Sequence, residues 1–243
     1  VLRILLWDHT TNKNIIWGTD QYGYDPKSCI EYEQIASGDV IKPRVLKSQE
    51  DQKLRTDSKA EVYTPIEIIK KMNDLVDEKF NGQPEDYIKR KVLEVTCGEA
   101  PYLVSRYDVS SGNILFLNQR EGLLDRKMKL INSLPLSHNE VTWEVYMSYA
   151  LKSTYGYEWQ GDSLLLAREN ILYDVIDWYE ERFLEAMDID MIKTIADIIS
   201  FNIVQMDGIT MCVPYSDIPV RIMNWDKDQM ERFDGKIDEI SLF

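Results

Sequence analysis

The sequence contains few residues that bind metals or form disulfides, with three cysteines and two histidines among 243 residues. Cys29, Cys97 and Cys212 are far apart and odd in number, which excludes a disulfide framework and fits no zinc-ligand pattern. His9 and His138 also lack the spacing of metal ligands. The sequence therefore predicts no metal site and no histidine base, and reduced thiols are typical of a cytoplasmic protein.

The sequence also lacks an apolar run long enough to span a bilayer. Its first residues, VLRILLWDHTTNKN, have neither the basic flank nor the small-residue cleavage site of a signal peptide, and we expect a strand there. Hydrophobic residues make up 44% of the chain and charged residues 29%, which is a globular composition. At this length we expect one core with an N-terminal extension, residues 1–59, built from short strands and loops.

Positive charge is scarce, since the formal net charge is −14. A protein that binds DNA alone normally presents a basic face to the phosphates, so the charge argues against that class. Two basic stretches, Lys42 to Lys59 and Lys89 to Lys91, soften this argument. We favour solvated loop charge for both, in which case a partner subunit would supply the DNA contacts.

The chain is organised around Val92 to Leu103, VLEVTCGEAPYL, in which an apolar run breaks at Cys97-Gly98. The pattern predicts a buried strand followed by a sharp turn and then a helix. In open α/β sheets, ligands bind beyond the carboxyl ends of such strands. An ordinary strand and turn is the alternative, because the dinucleotide fingerprint has three glycines and this stretch has one.

Helical signals flank this stretch. Thr64-Pro65-Ile66-Glu67 predicts a helix capped by the Thr64 hydroxyl, with an apolar face on Ile66, Ile69, Met72, Val76 and Phe80. Amphipathic helices are also predicted in residues 120–131 and 140–156. A long helix from Leu164 to about Phe183 follows a potential cap at Asp162 or Ser163.

Three blocks, AEVYTPIEIIKKMNDLVDE, VLEVTCGEAPYL and YGYEWQGDSLLLARENIL, together resemble S-adenosylmethionine-dependent DNA methyltransferases, specifically the adenine-methylating M subunits of restriction-modification systems. The resemblance covers about Ala60 to Asp207. It implies a Rossmann-like α/β fold, with a mostly parallel sheet and flanking helices. Residues 60–243 would form this domain, and about 107–153 would be an inserted helical segment.

The resemblance also implies a cofactor site for S-adenosylmethionine. Tyr63, Thr64 and Pro65 match the block that closes over the methionine end of the cofactor, where simple helix capping is the alternative. The chain departs from the family at Ala100-Pro101, where the family usually has glycine and then a small or polar residue. A methyl group at Ala100 is tolerated if its φ is negative.

In the same resemblance, Glu94 binds the amino group of the cofactor, and Thr96, Cys97 and Gly98 form the turn that approaches its methionine part. Glu158 ends the second strand and accepts from the ribose hydroxyls, a role that carboxylates commonly have in nucleotide sites. Surface carboxylates at strand ends are the alternative for both acids.

Asp207 follows a third predicted strand and would accept from the adenine amine, although an aspartate before Gly208 is also typical of a turn. The family's catalytic tetrapeptide, Asn or Asp, Pro, Pro, Tyr or Phe, is absent. The most similar segment is Cys212-Val213-Pro214-Tyr215, so Pro214 and Tyr215 are weak catalytic candidates. We interpret this segment first as a turn or strand.

Three functions remain open. The chain is expected to be an adenine-specific DNA methyltransferase, alone or with a restriction or specificity subunit. Alternatively it is a cofactor-binding or regulatory protein that has lost the base chemistry. The charge alone suggests a third alternative, an acidic protein that mimics DNA.

Overall fold

The computed structural model describes residues 1–59, 64–108, 111–235 and 241–242. The strands are β1 (Trp7–Asp8), β2 (Lys13–Asn14), β3 (Val92–Glu94), β4 (Thr154–Glu158), β5 (Ile203–Gln205), β6 (Arg221–Asn224), β7 (Gln229–Arg232) and β8 (Ser241–Leu242). The helices are α1 (Leu2–Leu5), α2 (Tyr32–Ile35), α3 (Gln49–Lys59), α4 (Ile66–Asp77), α5 (Pro84–Lys89), α6 (Leu123–Ser133), α7 (Glu140–Lys152), α8 (Gly161–Phe183) and α9 (Ile189–Asn202).

Four parallel strands form the central sheet in the order β5-β4-β3-β8. Every residue of β3, β4 and β5 is buried, as expected when helices cover both faces of a parallel sheet. The chain moves outward from β3 to β4 and β5, then returns to the other side of β3 with β8. The strand order therefore reverses beside β3, and ligands of open α/β sheets bind at such a reversal.

The expected N-terminal strand is wrong, because Leu2–Leu5 is a helix that begins with N–H bonds from Ile4 and Leu5 to the Val1 carbonyl. The buried Arg168 guanidinium donates to the carbonyls of Leu5 and Trp7 and fixes this end of the chain on the core. Apolar residues of the first 35 positions, within the expected N-terminal extension, belong to the main core.

Residues 107–153 are the crossover between β3 and β4 and contain α6 and α7. Both helices bury apolar side chains in the main core and pack on each other, and α6 also packs on α8. The helices themselves were predicted correctly. They lie in the connection between two neighbouring strands of the sheet, and the expectation that residues 107–153 are an insertion stays a prediction.

Two predicted helix caps are also wrong. Helix α4 begins after Pro65 without a side-chain cap, and the Thr64 hydroxyl instead accepts from the Tyr102 hydroxyl at 3.4 Å. Gln160 precedes α8, and the Asp162 carboxylate accepts from Tyr22 at 2.7 Å rather than capping the helix. In both cases a partner distant in sequence takes the side chain that local spacing assigned to a cap.

Among the described residues, no helix combines the length and the apolar character needed to cross a bilayer.

A buried acid pair joins α6 to α8. Asp125 Oδ2 accepts the N–H groups of Ser105 and Gly122, both at 2.8 Å, and Asp174 Oδ1 accepts from Arg120 at 2.6 Å. The other oxygens of these two groups, Asp125 Oδ1 and Asp174 Oδ2, are also buried. Burial, followed by the nearby Asp174 charge, raises the pKa of Asp125 well above its ordinary value. Asp125 therefore keeps a proton at a pH at which an exposed aspartate is ionised.

We predict that Asp125→Asn flattens the dependence of stability on pH. The folded state retains the Asp125 proton, whereas an unfolded aspartate loses it above about pH 4, so this contribution to stability falls as pH rises towards the raised pKa. Asparagine supplies the same donor and acceptor without titrating. Urea unfolding measured from pH 5 upwards should show the variant gaining on wild type, at most by about 1.4 kcal/mol per pH unit, until the pH passes the folded-state pKa of Asp125.

The control for this prediction is Asp174→Asn, which leaves the buried Arg120 without one carboxylate partner and is expected to destabilise at every pH. Parallel pH curves for wild type and Asp125→Asn would contradict the assignment of the proton to Asp125.

Candidate functional site

The turn after β3 is built from residues in the left-handed backbone region. Thr96, Gly98 and Ala100 have φ angles of 48°, 54° and 62°. This conformation is easy for glycine but costs about 1–2 kcal/mol for other residues, and it is unusual for a β-branched threonine. The condition of a negative φ at Ala100 is therefore not met. Residues 98–108 form turns and extended segments, so the helix expected after Gly98 is absent.

Glu158 and the backbone of β4 hold this turn against the neighbouring strand. Cys97 N–H donates to the Tyr157 carbonyl at 2.8 Å, and Gly98 N–H donates to Glu158 Oε2 at 2.9 Å. The other oxygen, Oε1, accepts the N–H of Gln160 at 3.0 Å. The structure thus brings together two predicted site residues, Gly98 and Glu158, at the carboxyl edge of the sheet.

Glu94 holds the other side of the turn. Its carboxyl oxygens accept the N–H groups of Tyr102 at 3.3 Å and Leu103 at 3.1 Å. Burial raises the pKa of Glu94 to about 8, against the opposing effect of these two hydrogen bonds. Glu94 lies where the sequence placed it, but its carboxyl group is buried and bonded within the fold.

Cys97 is a packing residue of the turn. Its side chain is buried against Gly156 of β4, where a Cβ atom would lie 3.3 Å from the Cys97 sulfur. Burial, with the charges of Glu94 and Glu158, raises the pKa of the Cys97 thiol well above its ordinary value. A buried, protonated thiol is unreactive, so Cys97 shapes the turn through its backbone.

The space outside Gly98 is open. Among the residues that the structure describes, no heavy atom lies within 4 Å of a Cβ atom built at Gly98, although Gly98 is only half-exposed. The turn therefore offers a backbone surface that a ligand can approach closely, beside a carboxylate from the next strand.

The Thr64-Pro65 block lies next to this turn. The Tyr102 hydroxyl donates to Thr64 Oγ1, and it also lies 3.2 Å from the Met72 sulfur. Asn73, buried on the same helix, donates to the Tyr102 carbonyl at 3.1 Å. Tyr63, the third member of the predicted block, lies outside the described residues.

Asp207 follows β5 at the same edge and closes its own turn. Its oxygens accept the Ile209 N–H and the Thr210 hydroxyl, both at 2.8 Å. Burial opposes ionisation of Asp207, but these hydrogen bonds outweigh it and lower its pKa. These bonds are the ones expected if Asp207 is an ordinary turn residue, which was the alternative to a role in binding adenine.

Pro214 and Tyr215 lie in the loop between β5 and β6, so they follow the third strand of the sheet along the chain. The resemblance places the catalytic tetrapeptide after the fourth strand, which here is β8. Pro214 is buried and Tyr215 is exposed. Pro214 and Tyr215 therefore lie one strand earlier in the chain than the resemblance requires.

Two aromatic residues at this edge were missed by the sequence analysis as a pair. Trp159, directly after Glu158, meets the Tyr215 ring edge-on with centroids 5.1 Å apart. Both residues also bond the Gly18 carbonyl. The position of Trp159 after a strand-end acid is visible in the sequence, but its pairing with Tyr215 depends on tertiary structure.

The N-terminal segment forms one wall of the site. Gln205, at the end of β5, accepts from the Ile16 N–H and donates to the Ile16 carbonyl, both at 2.8 Å. Arg44 N–H donates to Glu99 Oε1 at 2.8 Å, next to Gly98. No local pattern predicts these contacts, because the partners are 189 and 55 residues apart.

The basic stretches are partly used inside the fold. Arg44 donates to the Gln52 carbonyl, and Lys47 pairs with the buried Asp162 at 3.2 Å. Arg90 is buried and pairs with Asp77. These cations stabilise the structure and do not form a continuous basic face. In the described part of the chain, no group of three or more His, Cys, Asp or Glu side chains is arranged to hold a metal ion.

We predict that Thr96→Gly increases the free energy of unfolding by about 1 kcal/mol, because the side chain is exposed and glycine removes the cost of the left-handed conformation. Urea unfolding measures the change. Gly98→Ala is the opposite control and is expected to lose a similar amount from the same backbone cost. A stability decrease for Thr96→Gly would show that the threonine side chain stabilises the turn.

Comparison with protein-family models, curated proteins and solved structures gives no significant match for this chain.

Proposed function

We propose that this chain is a Rossmann-like, S-adenosylmethionine-binding protein of the DNA adenine methyltransferase type, which acts with a partner subunit in the cytoplasm. One observation carries the proposal: the open Gly98 turn and the Glu158 carboxylate meet beside the strand-order reversal. Nucleoside ligands of parallel α/β sheets use this combination of close backbone and strand-end acid.

The residues at this edge fit the parts of the cofactor. The absence of atoms outside Gly98 leaves room for a ligand against the backbone. Each Glu158 oxygen accepts one of the N–H groups described above, which fixes the carboxylate at the strand end, where acids of such sheets bind ribose hydroxyls. The half-exposed Trp159 ring provides an aromatic face beside Glu158.

When bound, S-adenosylmethionine would supply an electrophilic methyl group. The chain's own part is to hold that ligand, through the Gly98 turn and Glu158, and to exclude water with the wall formed by the N-terminal segment. No residue is assigned to hold a target adenine, because Pro214 and Tyr215 follow the third strand.

A second function is favoured by the state of Glu94. With a pKa of about 8 and two backbone N–H partners, this group is mostly protonated at neutral pH and is a poor partner for an ammonium group. This observation, with the missing tetrapeptide, favours a protein that binds the cofactor and does not transfer the methyl group.

Calorimetric titration with S-adenosylmethionine and with its demethylated product tests the proposal. We expect both to bind wild type, and we expect Gly98→Ala and Glu158→Gln to weaken binding at least about tenfold. The methyl group of Gly98→Ala meets no protein atom, so it would obstruct a ligand without crowding the fold.

Glu181→Gln is the matched control, because Glu181 is an exposed glutamate in the last turn of α8, about 30 Å along the helix from its start near Glu158. Unchanged binding in all three variants, or no binding to wild type, would overturn the proposed site.

Transfer of a radiolabelled methyl group to unmethylated DNA, followed by digestion to nucleosides, separates the two functions. Labelled N6-methyladenine supports the methyltransferase. Cofactor binding without labelled product, for the chain alone and with candidate specificity subunits, supports the non-catalytic protein.

A further inference from the structure

Three of the most exposed aliphatic side chains of the described structure lie near the C-terminal end of α8. Leu136, Val141 and Leu184 are 68%, 69% and 88% exposed. Single exposed apolar residues are normal on a protein surface, whereas a contiguous group of them is typical of a binding surface.

Hydrogen bonds hold the segments that carry these residues together. Arg182 Nε donates to the Ser137 carbonyl at 3.2 Å, next to Leu136. The Tyr179 hydroxyl donates to Glu140 Oε1 at 2.5 Å, next to Val141. The Phe183 ring, next to Leu184, meets the Trp143 ring edge-on with centroids 5.9 Å apart. Leu136, Val141 and Leu184 are therefore exposed on segments that pack side by side, and we call these three residues the α8-end patch.

Leu184 contributes nothing to folding that explains its identity. It ends α8 in the left-handed conformation, with φ 57°, and its N–H bonds the Glu180 carbonyl. Glycine or asparagine is preferred at this position, and leucine is not. A strained and almost fully exposed leucine is a cost to the folded state that binding a partner would offset.

Acidic residues surround the patch. The two segments that form it, residues 134–145 and 179–190, contain seven carboxylates and one arginine. That arginine, Arg182, donates to the carbonyls of Ser137 and Leu134. The patch is thus an apolar centre with a negative rim.

The patch is remote from the candidate site. Helix α8 starts directly after the carboxyl end of β4 and runs for 23 residues, about 34 Å, before it reaches Leu184. A partner bound at this end leaves the Gly98 turn accessible.

We propose that the α8-end patch docks a basic amphipathic segment of another protein, with apolar side chains on one face and lysine or arginine around them. Charge complementarity with the acidic rim selects this partner. A second copy of this chain would bring two negative rims together, and an anionic membrane would be repelled in the same way. The inference goes beyond the proposed function and does not depend on it.

The test uses a fluorescent peptide of about 18 residues that forms an amphipathic helix of leucine and lysine. A second peptide with serine in place of leucine has the same charge and measures binding to the acidic surface in general. Anisotropy titrations at physiological salt compare wild type, the triple variant Leu136→Ser/Val141→Ser/Leu184→Asn, and Ile209→Ser. Ile209 is 92% exposed but lies in the loop after β5.

We expect the leucine-lysine peptide to bind wild type at least about tenfold more tightly than the serine peptide, and the triple variant to lose that difference while Ile209→Ser keeps it. Equal binding of the leucine-lysine peptide to all three proteins would overturn the proposal. A dimer in sedimentation velocity that the triple variant abolishes would also overturn it and make the patch a self-association surface.

Leu184→Asn alone separates docking from folding. We expect its unfolding midpoint to rise, because asparagine tolerates the left-handed conformation, while its affinity for the leucine-lysine peptide falls. A lower midpoint with unchanged affinity would show that Leu184 stabilises the fold and does not bind a partner.

Discussion

The bond from Gly98 N–H to the Glu158 carboxylate is the contact on which the carboxyl edge of the sheet depends. It fastens the turn after β3 to the end of β4, beside the bond from Cys97 to Tyr157. Two left-handed residues other than glycine, Thr96 and Ala100, raise the energy of this turn. This bond, with the two that Glu94 accepts, offsets the strain.

The two acids that the resemblance assigns to a ligand thus have different roles in the structure. Glu158 bonds the turn with one oxygen and the start of α8 with the other, so a diol bound there would meet a carboxylate whose position is already fixed. Glu94 is buried beneath the turn and shapes it from inside. A preorganised acid at one strand end and a structural acid at the next would allow binding without a charged contact at Glu94.

The sequence predicted the parts of the fold that depend on local pattern. Strand β3 and helix α8 follow from apolar runs and periodicity, and both were found. The caps at Thr64 and Asp162 failed, because residues distant in sequence bond those side chains. The candidate site was likewise predicted only in part. Gly98 and Glu158 lie together, but the wall formed by the N-terminal segment depends on contacts that no local sequence pattern indicates.

The positions of the basic side chains change how the net charge of −14 is interpreted. Five basic side chains are buried and bonded within the fold: Arg44, Arg90, Arg120, Lys127 and Arg168. Because these groups cannot reach phosphates, each of the two basic stretches loses a member that the sequence alone made available. An acidic chain with the candidate site at one end and the α8-end patch at the other would be suited to two separate functions, ligand binding and partner docking. A basic partner bound at the far end would neutralise part of the charge and add the cationic surface for nucleic acid, while the Gly98 turn stays open.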